Sequence, residues 1–296
     1  MESLVQELTP FLEVSVPPLG RREHGSGLLA ALVENLGGSL DLLFVALFAV
    51  VAPVIDYLVY WPAFRRRSLN DPAGARRSLW TWAIAGGWAL VAAGAAIWVA
   101  RDRSWKSLGF TVPDGWRLWT SIGLFLLLAA YHLLAVASLA RSSEARASLR
   151  GQLGTITSVL PHTRTELYRF GGVSLTAGFS EEFLYRGYFL WAFSPWLGWW
   201  GAATLSLPFF AVGHLYQGWN GVLRTGIVGA LYTGVVALLG SLWPAIALHA
   251  LVDLGSGTMA WLALRDGPGE SGRVVAGQAA EPSSAPGVSS PGRTRD

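Results

Sequence analysis

The chain has 296 residues and a formal net charge of +3, with 52% hydrophobic residues, only 14% charged ones and a mean hydropathy of +0.41. Soluble domains carry about 25% charged residues, so this balance, with 15 Trp and long apolar runs, excludes a soluble globular enzyme and indicates a polytopic membrane protein. Cys is absent, which excludes disulfides and thiolate chemistry, and every basic residue but Lys106 is Arg, a compositional habit that points to no nucleic-acid partner.

Residues 1–39 form an N-terminal segment with acidic residues, prolines and no basic n-region, unlike a cleaved signal peptide. Crossing a hydrocarbon core takes about 20 mostly apolar residues. Seven segments meet that test: 40–62, 79–100, 117–139, 170–193, 197–215, 222–240 and 243–264. The expected fold is therefore an all-α transmembrane helical bundle of about seven membrane helices, within a range of six to eight. The first three, within 40–144, are cleanly apolar and read as lipid-facing support. The last four, within 145–265, are richer in Gly and Pro and hold most of the intramembrane polar residues. Residues 266–296, with 15 Gly, Ser or Pro in 31 positions, are expected to be a disordered tail.

Five Arg in the 63–78 loop and five in the 140–169 connector place those loops in the cytoplasm. With seven spans, the tail is then cytoplasmic as well. Trp61, Trp80, Trp116, Trp196, Trp199, Trp200 and Trp243 fall near span ends, where indole rings anchor at the interface.

An ionisable side chain at mid-membrane costs roughly 2.5–3.5 kcal/mol and is a candidate functional group by default. In FSEEFLYRGYFL, Glu182 and Arg186 are four apart and share a helix face. Glu181 lies about 100° around the helix and cannot use Arg186 in the same way. One glutamate is thus held ionised, while the other is free to act as a general base. His214 ends the apolar run LSLPFFAVGH, and His249 and Asp253 are four apart in WPAIALHALVDLGSG. Asp253 is placed to orient His249, or both to face a shared cavity. These groups would cost less free energy if all met in one hydrated pocket. His132, without an acidic residue within four positions, reads as structural; Asp41 and Asp56 read as packing or interfacial residues.

Two hydrolytic schemes fit this set. In one, Glu181 deprotonates a water, His214 positions it, and His249 with Asp253 stabilises an oxyanion. In the other, His214, His249 and a carboxylate bind a divalent metal such as zinc that activates the water. No H-E-x-x-H, GxGD or GxSG motif is present.

EEFLYR (Glu181–Arg186), FAVGH (Phe210–His214) and HALVD (His249–Asp253), in this order and spaced 32 and 35 residues apart, resemble the three motifs of the CAAX protease and bacteriocin-processing family. The resemblance covers roughly 145–265. It implies a membrane-embedded endopeptidase acting on membrane-bound, lipidated or apolar peptides, of the prenyl-protein or the bacteriocin-related kind. By position it implies Glu181 as the base, Glu182 as a supporting carboxylate, Arg186 orienting the glutamates, His214 holding the water, and His249 with residue 253 on the oxyanion side. Asp253 departs from the Asn of the prenyl-protein branch, because an ionised Asp cannot donate a hydrogen bond to an oxyanion. A non-catalytic immunity or scaffold protein, and a proton-coupled transporter, are the alternative readings of the same residues.

Overall fold

The structure, a computed structural model, describes residues 39–265; the expectations for the N-terminal segment and the 266–296 tail fall outside the described residues. Helix α1 spans Ser39–Asn70 and contains two π-helical stretches, Leu47–Val51 and Asp56–Tyr60. It is followed by α2 (Pro72–Val99), a 3₁₀ turn (Trp105–Leu108), α3 (Gly115–Arg141) and α4 (Ser143–Leu153). Next, α5 (Arg164–Glu181) continues through a π-helical stretch, Glu182–Phe189, into α6 (Leu190–Val212). A 3₁₀ turn (Leu215–Gln217) leads to α7 (Gly218–Leu239) and α8 (Leu242–Leu264). No strand occurs among the described residues.

Local chemistry explains the boundaries. Asp71 ends α1 and caps α2, its carboxylate accepting from the Gly74 N–H at 2.8 Å, with Pro72 at the first helical position. Gly240 closes α7 in the left-handed region (φ 65°), and Ser241 caps α8 by accepting from the Trp243 N–H. Pro195 and Gly198 (φ 67°, ψ 169°) break the long helix inside α6, close to the expected division between 170–193 and 197–215.

Long-range contacts group the helix ends into two layers. At one end Arg103 forks onto Asp41 (2.6 and 2.9 Å), Tyr188 donates to the same carboxylate, and the Leu242 N–H donates to the Gly109 carbonyl. At the other end Arg76 donates twice to Glu166 (2.8 and 3.0 Å), and Arg150 donates to the Ala263 carbonyl at 2.7 Å. α2, α5 with its π stretch, and α8 run from one layer to the other, while α4 stays at the second end. Five of the helical segments, Ser39–Asn70, Pro72–Val99, Gly115–Arg141, Leu215–Leu239 and Leu242–Leu264, are individually long and apolar enough to cross a membrane. The α5 and α6 segments are not, because Glu181, Glu182 and Arg186 interrupt the apolar run that follows Arg169, and Trp, Gly, Pro and Ser dilute α6. They are sheltered instead: all eight residues of the π stretch are buried. The protein is a multi-pass, all-α membrane bundle.

α8 is the axis of the bundle, packing most extensively against α5 and α3, with α2 against α5 and α7 against α6. Of the most apolar window of α8, 39% is buried inside the bundle, against 11% for α3, so α3 gives most of its surface to lipid. His132 on α3 is buried, bonds through Nδ1 to the Leu128 carbonyl at 2.9 Å, and lies against Gly255 of α8. It is a packing residue.

The Arg76–Glu166 pair ties the start of α2 to the start of α5. The second Glu166 oxygen accepts from the backbone N–H groups of His162 and Thr163, and Thr163 completes a capping box. Removing one partner strands a buried charge, which costs roughly 3–5 kcal/mol. Arg76→Ala should therefore lower the melting temperature of the detergent-solubilised protein by several degrees, as read by thermal unfolding followed by circular dichroism.

Candidate active site

Six polar side chains that are dispersed in sequence meet where α5, its π stretch, the end of α6, and α8 converge. Glu182 lies at the centre and is wholly buried. Its Oε1 accepts from Arg186 Nη1 at 3.0 Å and from His249 Nδ1 at 2.8 Å. Arg186 is fixed from the other side: Nη2 donates to the Gly229 carbonyl at 2.9 Å, Nε reaches Thr233 Oγ1 at 3.5 Å, and the guanidinium lies 4.1 Å from the centroid of the Phe210 ring. Gly229 is required at that point, because a Cβ there would come within 2.8 Å of both Arg186 Nη2 and the Phe210 ring.

Glu181 is placed differently. Its Oε2 is buried without a hydrogen-bond partner among the described residues, 3.9 Å from His214 Nε2 and 3.9 Å from His249 Nε2. His214 Nδ1 bonds to the Phe210 carbonyl at 2.9 Å. A carbonyl only accepts, so Nδ1 carries a proton, and in the neutral ring Nε2 turns a lone pair toward Glu181. His249 donates from Nδ1 to Glu182, and its ring is stacked on Tyr232 (centroids 4.9 Å apart, planes 21° apart). Asp253 Oδ2 lies 3.7 Å from His249 Nε2. Glu182, not Asp253, is therefore the group that orients His249 through Nδ1; Asp253 faces the opposite nitrogen.

The π-helical stretch begins at Glu182, directly after Glu181. A π turn inserts extra backbone into a helical path and re-aims the side chains on either side of it. Here it separates the carboxylate that faces the imidazoles from the one locked to Arg186. Close approach of α5 and α8 is set by Gly178, one turn before the glutamates: a Cβ would lie 2.8 Å from the Ala250 backbone nitrogen.

Several contributors carry no local sequence signal, namely Gly178, Gly229, Thr233 and Tyr232. Asp56, read from the sequence as a packing residue, is half-buried and lies within electrostatic reach of His214. Trp61 of α1 packs on Tyr216, ring centroids 5.4 Å apart, so α1 closes this side of the cluster. A metal held by His214 and His249 needs further ligands. Among the described residues no group of three or more His, Asp or Glu side chains is arranged to hold one.

Residues 163–255 match the family described as type II CAAX prenyl endopeptidase, Rce1-like. This segment, about a third of the chain, is similar to that protease family. It contains all six clustered residues, and α1–α3 lie outside it. No curated protein and no solved structure matches the chain. The family is described as one of endopeptidases, and the charged cluster of this chain falls within the matched segment.

Gly178→Ala tests the closeness of α5 and α8. The backbone of Ala250 cannot yield as a flexible side chain would, so the expected loss is about 1–3 kcal/mol of stability, with a longer Glu182–His249 contact. Thermal unfolding, with the ¹⁵N chemical shifts of the His249 ring, reads both.

Proposed function

We propose that the protein is an intramembrane endopeptidase in which Glu181 activates the attacking water. The observation that carries this reading is the buried, unpartnered Oε2 of Glu181, flanked by two imidazole nitrogens at 3.9 Å. Polar atoms separated by more than about 3.5 Å are suited to a bridging water. A water bonded at about 2.8 Å to two atoms 3.9 Å apart subtends an angle near 90°. Such a water donates one hydrogen to Glu181 and the other to the Nε2 lone pair of His214, which leaves an oxygen lone pair for the scissile carbonyl. As the oxygen attacks, Glu181 takes its proton and later delivers it to the leaving amine.

His249 serves the carbonyl side. With its Nδ1 proton committed to Glu182, His249 in its imidazolium form carries a second proton on Nε2, on the Glu181 side, for the developing oxyanion. Asp253 Oδ2, 3.7 Å from the same nitrogen, supplies a nearby negative charge that favours the imidazolium. Glu182 and Arg186 do not meet substrate; they are positioning residues for His249.

A site at membrane depth is reached from the lipid. The proposed substrates are therefore lipidated or apolar, membrane-associated peptides, with CAAX-type prenyl proteins as the class nearest to the family description and bacteriocin-related peptides as the second. The Arg-rich end that carries Arg76, Arg150 and the α8 C-terminus is assigned to the cytoplasm.

The test compares wild type with Glu181→Ala in detergent, using a quenched-fluorescent farnesylated peptide and a panel of short apolar peptides, with and without a chelator. Turnover should fall at least about 100-fold in the variant, as expected for loss of a general base, and wild type should be indifferent to chelator. Activity abolished by the chelator would instead assign the water to a metal. A second expectation concerns access: removing the lipid from the peptide should depress turnover, and equal cleavage of a freely soluble peptide would contradict entry from the bilayer.

A further inference from the structure

Apart from the active site, one other place gathers charge around a cavity. It lies at the Arg-rich end of the bundle, between the last turn of α1 and the first turns of α2 and α5, with a volume of about 430 Å³. Arg67 of α1, Arg77 of α2 and Arg169 of α5 line it, together with Ser78, Thr81 and Trp82. Arg77, Ser78, Thr81 and Trp82 fall at positions i, i+1, i+4 and i+5 of one helix, and so form a single face. We propose that this cavity binds the phosphate of an anionic phospholipid headgroup.

The charge balance supports an anion. Arg76, the neighbour of Arg77, is neutralised by Glu166. Neither Arg77 nor Arg169 has an ion-pair partner among the described residues. Asp71 is the nearest acidic group, 4.0 Å from Arg67 in an exposed contact, and its other oxygen caps α2 through the Gly74 N–H. Three guanidinium groups thus face one exposed carboxylate. The Thr81 hydroxyl is spent on the Arg77 carbonyl at 2.8 Å and the Ser78 hydroxyl is engaged with Tyr60, so the charged donors offered to a ligand are the guanidinium forks, with the indole N–H of Trp82 beside them. Guanidinium forks match phosphate oxygens in pairs.

Depth supports a lipid as the source of the phosphate. Trp82 is 64% exposed, Tyr168, adjacent to Arg169, is 80% exposed, and Leu69 is 84% exposed. Amphipathic rings favour the headgroup level, where an acyl chain would lie along these apolar side chains while the phosphate enters the cavity. Basic pockets between membrane helices on the cytoplasmic side suit acidic headgroups for the same reason.

The test uses the full chain in phosphatidylcholine nanodiscs doped with phosphatidylglycerol, with retained lipid measured by native mass spectrometry. Wild type should retain phosphatidylglycerol in preference to phosphatidylcholine. Arg77→Gln with Arg169→Gln should weaken that preference by about 5-fold for each arginine removed. Arg65→Gln with Arg66→Gln, an equal loss of charge on the neighbouring turn outside the cavity, should leave it nearly intact. Equal effects of the two pairs would reduce the site to general surface attraction and overturn the proposal. Retention unchanged in the Arg77/Arg169 variant would also overturn it. Displacement of the lipid by millimolar inorganic phosphate would assign the cavity to a soluble anion and overturn the lipid source. All four substituted arginines are exposed, so the variants should melt with wild type in phosphatidylcholine alone; Arg77→Lys with Arg169→Lys, which keeps charge but loses the fork, should fall between wild type and the Gln pair.

Discussion

The Glu182 carboxylate, held without solvent contact between Arg186 and His249, is the constraint on which the rest of the site depends. A charge at this depth is tolerable only when it is neutralised and hydrogen-bonded. One oxygen of Glu182 therefore takes both a guanidinium and an imidazole N–H, which links α7, through Gly229 and Arg186, to α8 through His249. The linkage fixes the His249 ring, and the fixed ring presents its free nitrogen to Glu181.

Helix packing follows from this requirement. A guanidinium can reach the Gly229 carbonyl only because residue 229 lacks a side chain, and α5 can approach α8 only because residue 178 lacks one. The π-helical stretch, buried along its whole length, lets two adjacent carboxylates have different surroundings: Glu182 takes Arg186 and His249 on its Oε1 while its Oε2 stays unpartnered, and Glu181 has an unpartnered Oε2 between two imidazole Nε2 atoms. A regular helix would also turn them apart, by about 100°, but the π turn adds backbone where the separation is needed. α1–α3 contribute less to the chemistry and more to enclosure. Their lipid-facing side chains are largely apolar, and two buried charges among them, Asp41 and Arg76, are each matched by a distant partner.

Much of this was legible in the sequence because hydrophobic length is a local property. The helical segments, the break near Pro195 and Gly198, and the Glu182–Arg186 pair at i, i+4 all follow from residues close together in the chain. What the sequence hid was long-range pairing. Asp41 seemed partnerless because Arg103 and Tyr188 lie 62 and 147 residues away. Asp253 was the obvious partner for His249 at i+4, yet Glu182, 67 residues distant, takes the oriented nitrogen. The π-helical register was invisible as well, since EFLYRGYF has no residue that forces it; tertiary burial does. Likewise α4 is a polar, interfacial helix with too few apolar residues to register as a membrane element, and it is set by its Ser142 cap and the Arg150 bond to α8.

The central claim is a division of labour between adjacent glutamates, and thermal unfolding of two isosteric variants tests it directly. Glu182→Gln leaves Arg186 without its counter-charge in a buried site, and should lose roughly 3–5 kcal/mol of stability. Glu181→Gln removes a charge whose buried oxygen has no partner, and should melt at or above the wild-type temperature while abolishing turnover, as expected where stability is given up for activity. Equal destabilisation by both substitutions, or a stable Glu182→Gln beside an unstable Glu181→Gln, would contradict the account.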